Sequence, residues 1–263
     1  MLLDKIYSDL AGKAERVFLS KQQVIDAEKK RRQIEKKTGK LGKMQKQEKD
    51  EVGIVNFVYT TLSTEGVPVT KSDAQLAYKF SQKNAKELRD ENLKVSLDMI
   101  KGLRMARESK KGLSLGLIED LHETVMAQYG HKHPGDFRKE QAHIYLRHYE
   151  KVEEIGFRPV SPDKIETELE KLVQWYNLNV GKLNAIELAS LLHLRFYIIH
   201  PFEDGNKRVC RLLFNKALYD SGYPLLNISK NTEKYFDALV KSVEKKDEKE
   251  FVLFVLGEFL ESK

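Results

Sequence analysis

The stretch that most constrains this chain is NAIELASLLHLRFYIIHPFEDGNKRVCRLLFNKALYDSG, residues 184–222. Ala185, Leu188, Ala189, Leu192, Phe196 and Ile199 recur at helical spacing and predict a buried helix. Pro201 stops that helix, because the residue before a proline is pushed out of the α region. A second helix is expected over VCRLLFNKALYD, with Gly222 placed to close it from a C′ position. The polar dozen HPFEDGNKRVCR, His200 to Arg211, is thus a short connection from one buried helix into the N-terminus of the next.

The rest of the chain reads as helix with one exception. SPDKIETELEKLVQWYN opens with Ser161 as N-cap and Pro162 at the first helical position, and sets Ile165, Leu169, Leu172, Val173 and Tyr176 on one face. KDEVGIVNFVYTTLSTEG predicts a helix ended by Gly66, and SDAQLAYKFSQKNAKELRDENLKVSLDMIKGLRMA one or two more. GLSLGLIEDLHETVMAQYG predicts another, with Gly130 past its end. Only HKHPGDFRKEQAHIYLRHYEKVEEIGFRPV alternates, with Ala142, Ile144 and Leu146 on one side, so a small hairpin or extended flap is expected there. The fold class is therefore all-α with a hairpin. The domain reading is a basic helical segment over 1–47, a helical region over 48–112, and a core over 113–263.

Composition narrows the function classes. No apolar run approaches the ~18–20 residues of a membrane span, and MLLDKIYSDL lacks the pattern of a signal peptide. The single cysteine, Cys210, fits a reducing compartment, so the cytoplasm is expected. The net charge of +6 invites a nucleic-acid partner, but much of the excess sits in EKKRRQIEKKTGKLGKMQKQEKD. Such a run reads first as a solvated helix face or a mobile arm, and no aromatic residues interleave it to stack bases.

The chemistry concentrates in HPFEDGNKRVCR. Gly205 permits a tight turn, successive N–H groups form a nest, and the dipole of the following helix adds positive charge. Arg208 and Arg211, three apart, share one face and can fork onto phosphate oxygens. Asp204 supplies a hard oxygen for Mg²⁺, and His200 a base. Singly, these are a cap, a surface pair and a turn; in this order they describe nucleotide phosphate transfer.

The stretch resembles the Fic family signature HPFx(D/E)GNGRxxR at His200, Pro201, Phe202, Asp204, Gly205, Asn206, Arg208 and Arg211, and departs from it at Lys207. LHETVM, HPGDFRKEQAHI, LASLLHLRFYIIHPF and RLLFNKALYDSGYP extend the likeness over roughly residues 115 to 255. The resemblance implies a Fic-type helical bundle with a β-hairpin flap over the active site. It implies an adenylyltransferase that moves AMP from ATP to a Ser, Thr or Tyr hydroxyl of a target protein. His200 would then be the base and Phe202 an anchor under the loop. Asp204 would hold Mg²⁺, Asn206 with its neighbouring amides would receive the α-phosphate, and Arg208 and Arg211 the β- and γ-phosphates; Lys207, outside the signature, could crowd the diphosphate or add its ammonium as a further phosphate ligand. Ala142, His143, Ile144 and Tyr145 would clamp the target peptide by strand addition. Tyr235 stands where the family often stacks adenine, while Val243 replaces a common asparagine. A homodimer is implied by analogy; a membrane or nucleic-acid partner is not.

Two details bear on mechanism. TLSTEG, Thr61 to Gly66, matches (S/T)xxxE(G/N) and lies upstream of the core, where one class of the family keeps an inhibitory helix. By that resemblance Glu65 would pair with Arg211 and take the donors the γ-phosphate requires. Lys207 matches the Doc branch, which carries ANKR and transfers phosphate. Gly205, Arg211 and Glu65 favour AMP transfer. A Doc-like phosphotransferase, or a nucleotide-binding module without catalysis, remains the alternative.

Overall fold

In the computed structural model the described residues are 17–82, 90–109, 112–149, 151 and 153–262. Among them the chain forms helices α1 (Lys21–Gly39), α2 (Lys43–Ser63), α3 (Lys71–Ser81), α4 (Glu91–Glu108) and α5 (Leu115–Val125). The antiparallel strands β1 (Ile144–His148) and β2 (Glu153–Phe157) follow, then α6 (Ile165–Asn179), α7 (Ala185–Ile199), α8 (Asn206–Asp220), α9 (Thr232–Lys245) and α10 (Lys249–Glu261). The all-α class with one hairpin is what the periodicity predicts.

The antiparallel pair α7 and α8 is the axis of the bundle. Every residue of α7 is buried, as the run of apolar side chains requires, and Asn184 caps it through the Ile186 N–H at 2.9 Å. α6 packs on α7, α4 and α5 on α8, and α10 on α7, while α1 lies against α10. Gly222 takes the expected left-handed conformation, φ +71, and Tyr223 N–H closes the end of α8 on Leu218 O at 2.8 Å. Pro162 opens a short 3₁₀ turn that feeds α6, whose Ile165, Leu169, Leu172 and Tyr176 are buried.

One element boundary differs from the expectation. α5 ends at Val125, not beside Gly130, because the Val125 carbonyl accepts from Arg208 Nη1 at 3.2 Å. Tyr129 N–H, which would continue the helix, turns to Met126 O at 2.8 Å. Residue 48, where a boundary is expected, lies inside α2, which runs unbroken from Lys43. The predicted stretch around Asn84 to Arg89 lies outside the described residues, as do the first sixteen residues of the basic segment. α1 itself buries only Ala27 and Ile34, so its lysines and arginines line a largely solvated face. No helix among the described residues is long and apolar enough to cross a membrane.

The hairpin pairs Ile144 with Phe157, Leu146 with Ile155 and Arg147 with Glu154. Alternation sends Leu146 into the core and leaves Tyr145 69% exposed.

Candidate active site

The connection after α7 is shaped by two left-handed residues, His200 at φ 51 and Gly205 at φ +72. His200 N–H closes α7 on Phe196 O at 3.0 Å. The Asn206 side chain laces the loop between them, accepting from Phe202 N–H at 3.0 Å and donating to Phe202 O at 2.8 Å. Phe202 is fully buried under the loop, its ring stacked on His122 at 3.6 Å between centroids. His122 donates through Nε2 to Asp204 O at 3.1 Å and accepts at Nδ1 from Gly135 N–H at 2.9 Å, which fixes its tautomer. Burial pushes its pKa down to about 4.

Asn206 and Gly205 both have contacts inside the protein itself. The Asn206 side chain is spent on the loop, and its backbone N–H lies at the open start of α8. Gly205 is required by its positive φ and by packing inside the protein, where a Cβ would meet Met126 Sδ at 2.6 Å and His122 Cδ2 at 3.3 Å.

His200 is 8% exposed and its Nδ1 lies 3.3 Å from Tyr197 O. A carbonyl only accepts, so Nδ1 carries the proton of this bond and Nε2 keeps a lone pair. Burial is the main reason its pKa falls to about 4, with Arg138 and Lys207 adding to the fall. The imidazole is therefore neutral near pH 7 and able to accept a proton.

The start of α8 carries Lys207, Arg208 and Arg211 and no acidic residue in its first turn. These cations sit at the positive end of the helix dipole, the wrong end for stability and the right one for an anion. Arg211 is 1% exposed and Arg208 3%. Arg211 Nη1 donates to Glu65 Oε1 at 3.2 Å and to Thr61 O at 3.3 Å; its Nε and Nη2, and Arg208 Nε, are buried without a hydrogen-bond partner among the described residues. Glu65 also lies 3.8 Å from Arg208 Nε and 3.9 Å from Lys207 Nζ. It gets there because Gly66, φ +78, reverses the chain, with Gly66 N–H on Ser63 O at 3.0 Å and Val67 N–H on Leu62 O at 3.2 Å.

Tyr235 does not offer a face to a base. It is fully buried, with its hydroxyl 3.1 Å from His193 Nε2 and its ring under the Arg211 guanidinium at 5.1 Å. The half-buried ring at this rim is its neighbour Phe236, which Lys207 Nζ overlies at 5.6 Å. Val243 lies half-buried two turns further along α9. The flap residues Ala142 to Tyr145 are exposed or half-buried, with His143 Nε2 accepting from Arg158 Nε at 2.8 Å. Sequence reading missed His122, Arg138, Tyr129 and Phe236; Tyr129 supports Arg208 from below at 5.0 Å.

Asp204 is the carboxylate of the loop, half-buried, with Oδ1 accepting from Gly205 N–H at 2.6 Å. No cluster of three or more His, Cys, Asp or Glu side chains suited to a metal occurs among the described residues. One carboxylate beside an anion site suits Mg²⁺, which takes one or two protein oxygens and fills its shell with phosphates and water.

Residues 112–218 match the model of the Fic/DOC family. The protein adenylyltransferase Fic of Drosophila erecta is 25% identical over 201 residues, 75% of this chain and 39% of the relative. The protein adenylyltransferase fic-1 of Caenorhabditis elegans is 26% identical over 204 residues, 76% of this chain and 38% of the relative. The chain thus spans under two fifths of the length of these curated relatives. A Fic domain containing signaling protein from Bacteroides thetaiotaomicron superposes with a TM-score of 0.75 at 24% identity, covering 90% of this chain and 92% of that one. With the loop, its two arginines and the flap in this arrangement, the chain carries a Fic/DOC family domain.

Proposed function

We propose that the protein transfers AMP from ATP to a hydroxyl of a protein substrate, and that Glu65 holds the enzyme in check. The observation that carries this reading is a pair of buried guanidiniums with unmet donors, set at a helix N-terminus beside a neutral, buried histidine. The names of the curated relatives support the same activity.

In this reading the triphosphate lies along the start of α8. Main-chain N–H groups of Asn206 and Lys207 meet the α-phosphate, and Arg208 and Arg211 take the β- and γ-phosphates. Phe236 is the ring available to the base. Asp204 would hold Mg²⁺, which supplies charge neutralisation to the phosphates. The acceptor peptide adds to the free edge of β1. His200 Nε2 takes the proton as the hydroxyl oxygen bonds to the α-phosphorus; the bond from that phosphorus to the bridging oxygen breaks and pyrophosphate leaves.

Glu65 explains the resting state. Its carboxylate holds the Arg211 donor that the γ-phosphate needs and repels the phosphate. A charge-assisted hydrogen bond contributes about 1.5–3 kcal/mol, so releasing it is expected to raise turnover roughly ten- to hundredfold. The test is self-labelling with ATP labelled at the α- or the γ-phosphate. Label from the α-position that rises in Glu65→Gly and vanishes in Glu65→Gly/His200→Ala is expected. Label from the γ-position alone would replace the reading with phosphate transfer, which the lysine at position 207 favours. Bound ATP with no label would leave a binding module.

A further inference from the structure

The arginine outside the phosphate site with the most unusual set of partners is Arg138. It is 7% exposed and, among the described residues, no carboxylate is bonded to it. Every acceptor of its guanidinium is a main-chain carbonyl. Nε donates to His200 O at 2.8 Å, Nη1 to Glu140 O at 2.8 Å, and Nη2 to Val160 O and, at 3.5 Å, to Ile199 O. Its own N–H donates to Pro201 O at 2.9 Å.

These acceptors fall into two groups. Ile199, His200 and Pro201 are consecutive carbonyls of the corner that turns the chain out of α7 and sets the direction of the His200 ring. Glu140 and Val160 flank the hairpin, one on the way into β1 and one on the way out of β2. The corner needs such a clamp, because His200 sits at φ 51, a conformation that a side-chain-bearing residue adopts only when its surroundings hold it there. Only a planar guanidinium has enough fixed donors to serve three carbonyl directions at once; a lysine ammonium on the same stem is a single point.

The geometry points to Arg138 as a positioning residue that locks the base to the flap, so that the hydroxyl presented on the edge of β1 is held in register with His200. This rests on the reading of His200 as the base and of the flap as the seat of the acceptor. It assigns Arg138 no contact with ATP, which distinguishes it from the arginines of α8.

The experiment uses the full chain with Glu65→Gly, so that the brake does not mask the effect. Arg138→Lys and Arg138→Ala are compared for first-order self-labelling from α-labelled ATP and, separately, for the Kd of ATP. Labelling is expected to fall about 100-fold, the cost of misplacing a reacting group by roughly 1 Å, while the Kd moves by less than about threefold. Millimolar guanidinium is expected to restore labelling to Arg138→Ala, where it can occupy the vacated site, and not to a chain with His200→Ala. A Kd that worsens in step with labelling, or no rescue of a folded Arg138→Ala, would overturn the assignment. If Arg138→Ala does not fold, Arg138→Lys decides alone: labelling within about threefold of the parent refutes the clamp. If the parent itself does not label, the function reading has failed, and the clamp is then judged by the histidine ring signals in NMR spectra. Movement of the His200 signals in Arg138→Lys, with His193 unmoved, supports it; an unmoved His200 ring refutes it.

Discussion

Glu65 and the head of α8 break the same rule from opposite sides. A carboxylate at the C-terminal end of a helix and cations at the N-terminal end of another are each disfavoured by the dipole, by about 0.3–1 kcal/mol apiece. Their contact offsets both terms, and the proposed brake uses it to hold Glu65 on Arg211. Lys207 joins this contact from the rim, with its side chain 30% exposed and 3.9 Å from Glu65. Lys207→Gly is therefore expected to raise basal self-labelling by a few-fold when Glu65 is present, and to leave it unchanged or lower it in a Glu65→Gly chain. A double-mutant cycle on the labelling rate checks this, and additive effects would remove Lys207 from the brake. His200 gives a second expectation. In the proposed reaction His200 must be unprotonated, and burial moves its pKa to about 4, so activity is expected to be lost only as the pH falls through that value. The acid limb of kcat/KM, which reports the free enzyme, should therefore lie well below the ordinary histidine value of about 6.5. A limb at the ordinary value would mean that the ring is solvated when it reacts.

Among the elements, the hairpin depends most on contacts beyond itself. A two-stranded ribbon is marginal alone, and this one is held at both ends. Arg138 ties its roots; at its tip Tyr149 N–H donates to Asp237 Oδ1 at 2.7 Å, and Lys151 Nζ lies 3.4 Å from Glu244. Both acceptors are on α9, which also carries Phe236, so the flap and the ring proposed to meet the base share one support. Asp237→Ala is expected to speed amide exchange in residues 144–157 by about tenfold or more, while α7 and α8 exchange as before. Unchanged exchange in the hairpin would show that the strands hold themselves. The hairpin was legible from alternation, and α6, α7 and the end of α8 from apolar spacing and from Pro162, Pro201 and Gly222. The end of α5 was not, because Arg208, more than eighty residues away in sequence, takes the Val125 carbonyl that would have continued the helix. Period and punctuation describe an element's own bonds and are silent about a distant donor that outbids them.

For the whole molecule the same limit separates the residues that were legible from those that were not. His200, Asp204, Arg208 and Arg211 announce themselves through order and spacing, and Glu65 only through the family resemblance. His122 and Arg138 bond to backbone atoms of the loop after α7, and Tyr235 is buried against His193, so nothing local marks their contacts. The buried histidines do have a consequence for the stability of the whole fold. His193, fully enclosed between α7 and its neighbours, has its pKa held well below the usual range by burial, and His200 is lowered to about 4. In the unfolded chain both titrate near 6.5. Between about pH 4 and pH 6.5 the unfolded state thus binds protons that the folded state refuses, so stability rises with pH across this window and is lost as the pH falls. For His200 alone the difference amounts to roughly 3 kcal/mol at the lower end. Thermal melts followed by circular dichroism should show a Tm nearly constant above about pH 7 and falling below about pH 6.5, before most carboxylates titrate. In His200→Gln one of these proton-binding sites is gone, and the slope of unfolding free energy against pH should ease by up to about 1.4 kcal/mol per pH unit. Parallel slopes for the two proteins would show that His200 titrates in the fold as it does in the unfolded chain, and that burial does not keep the ring neutral between about pH 4 and pH 6.5.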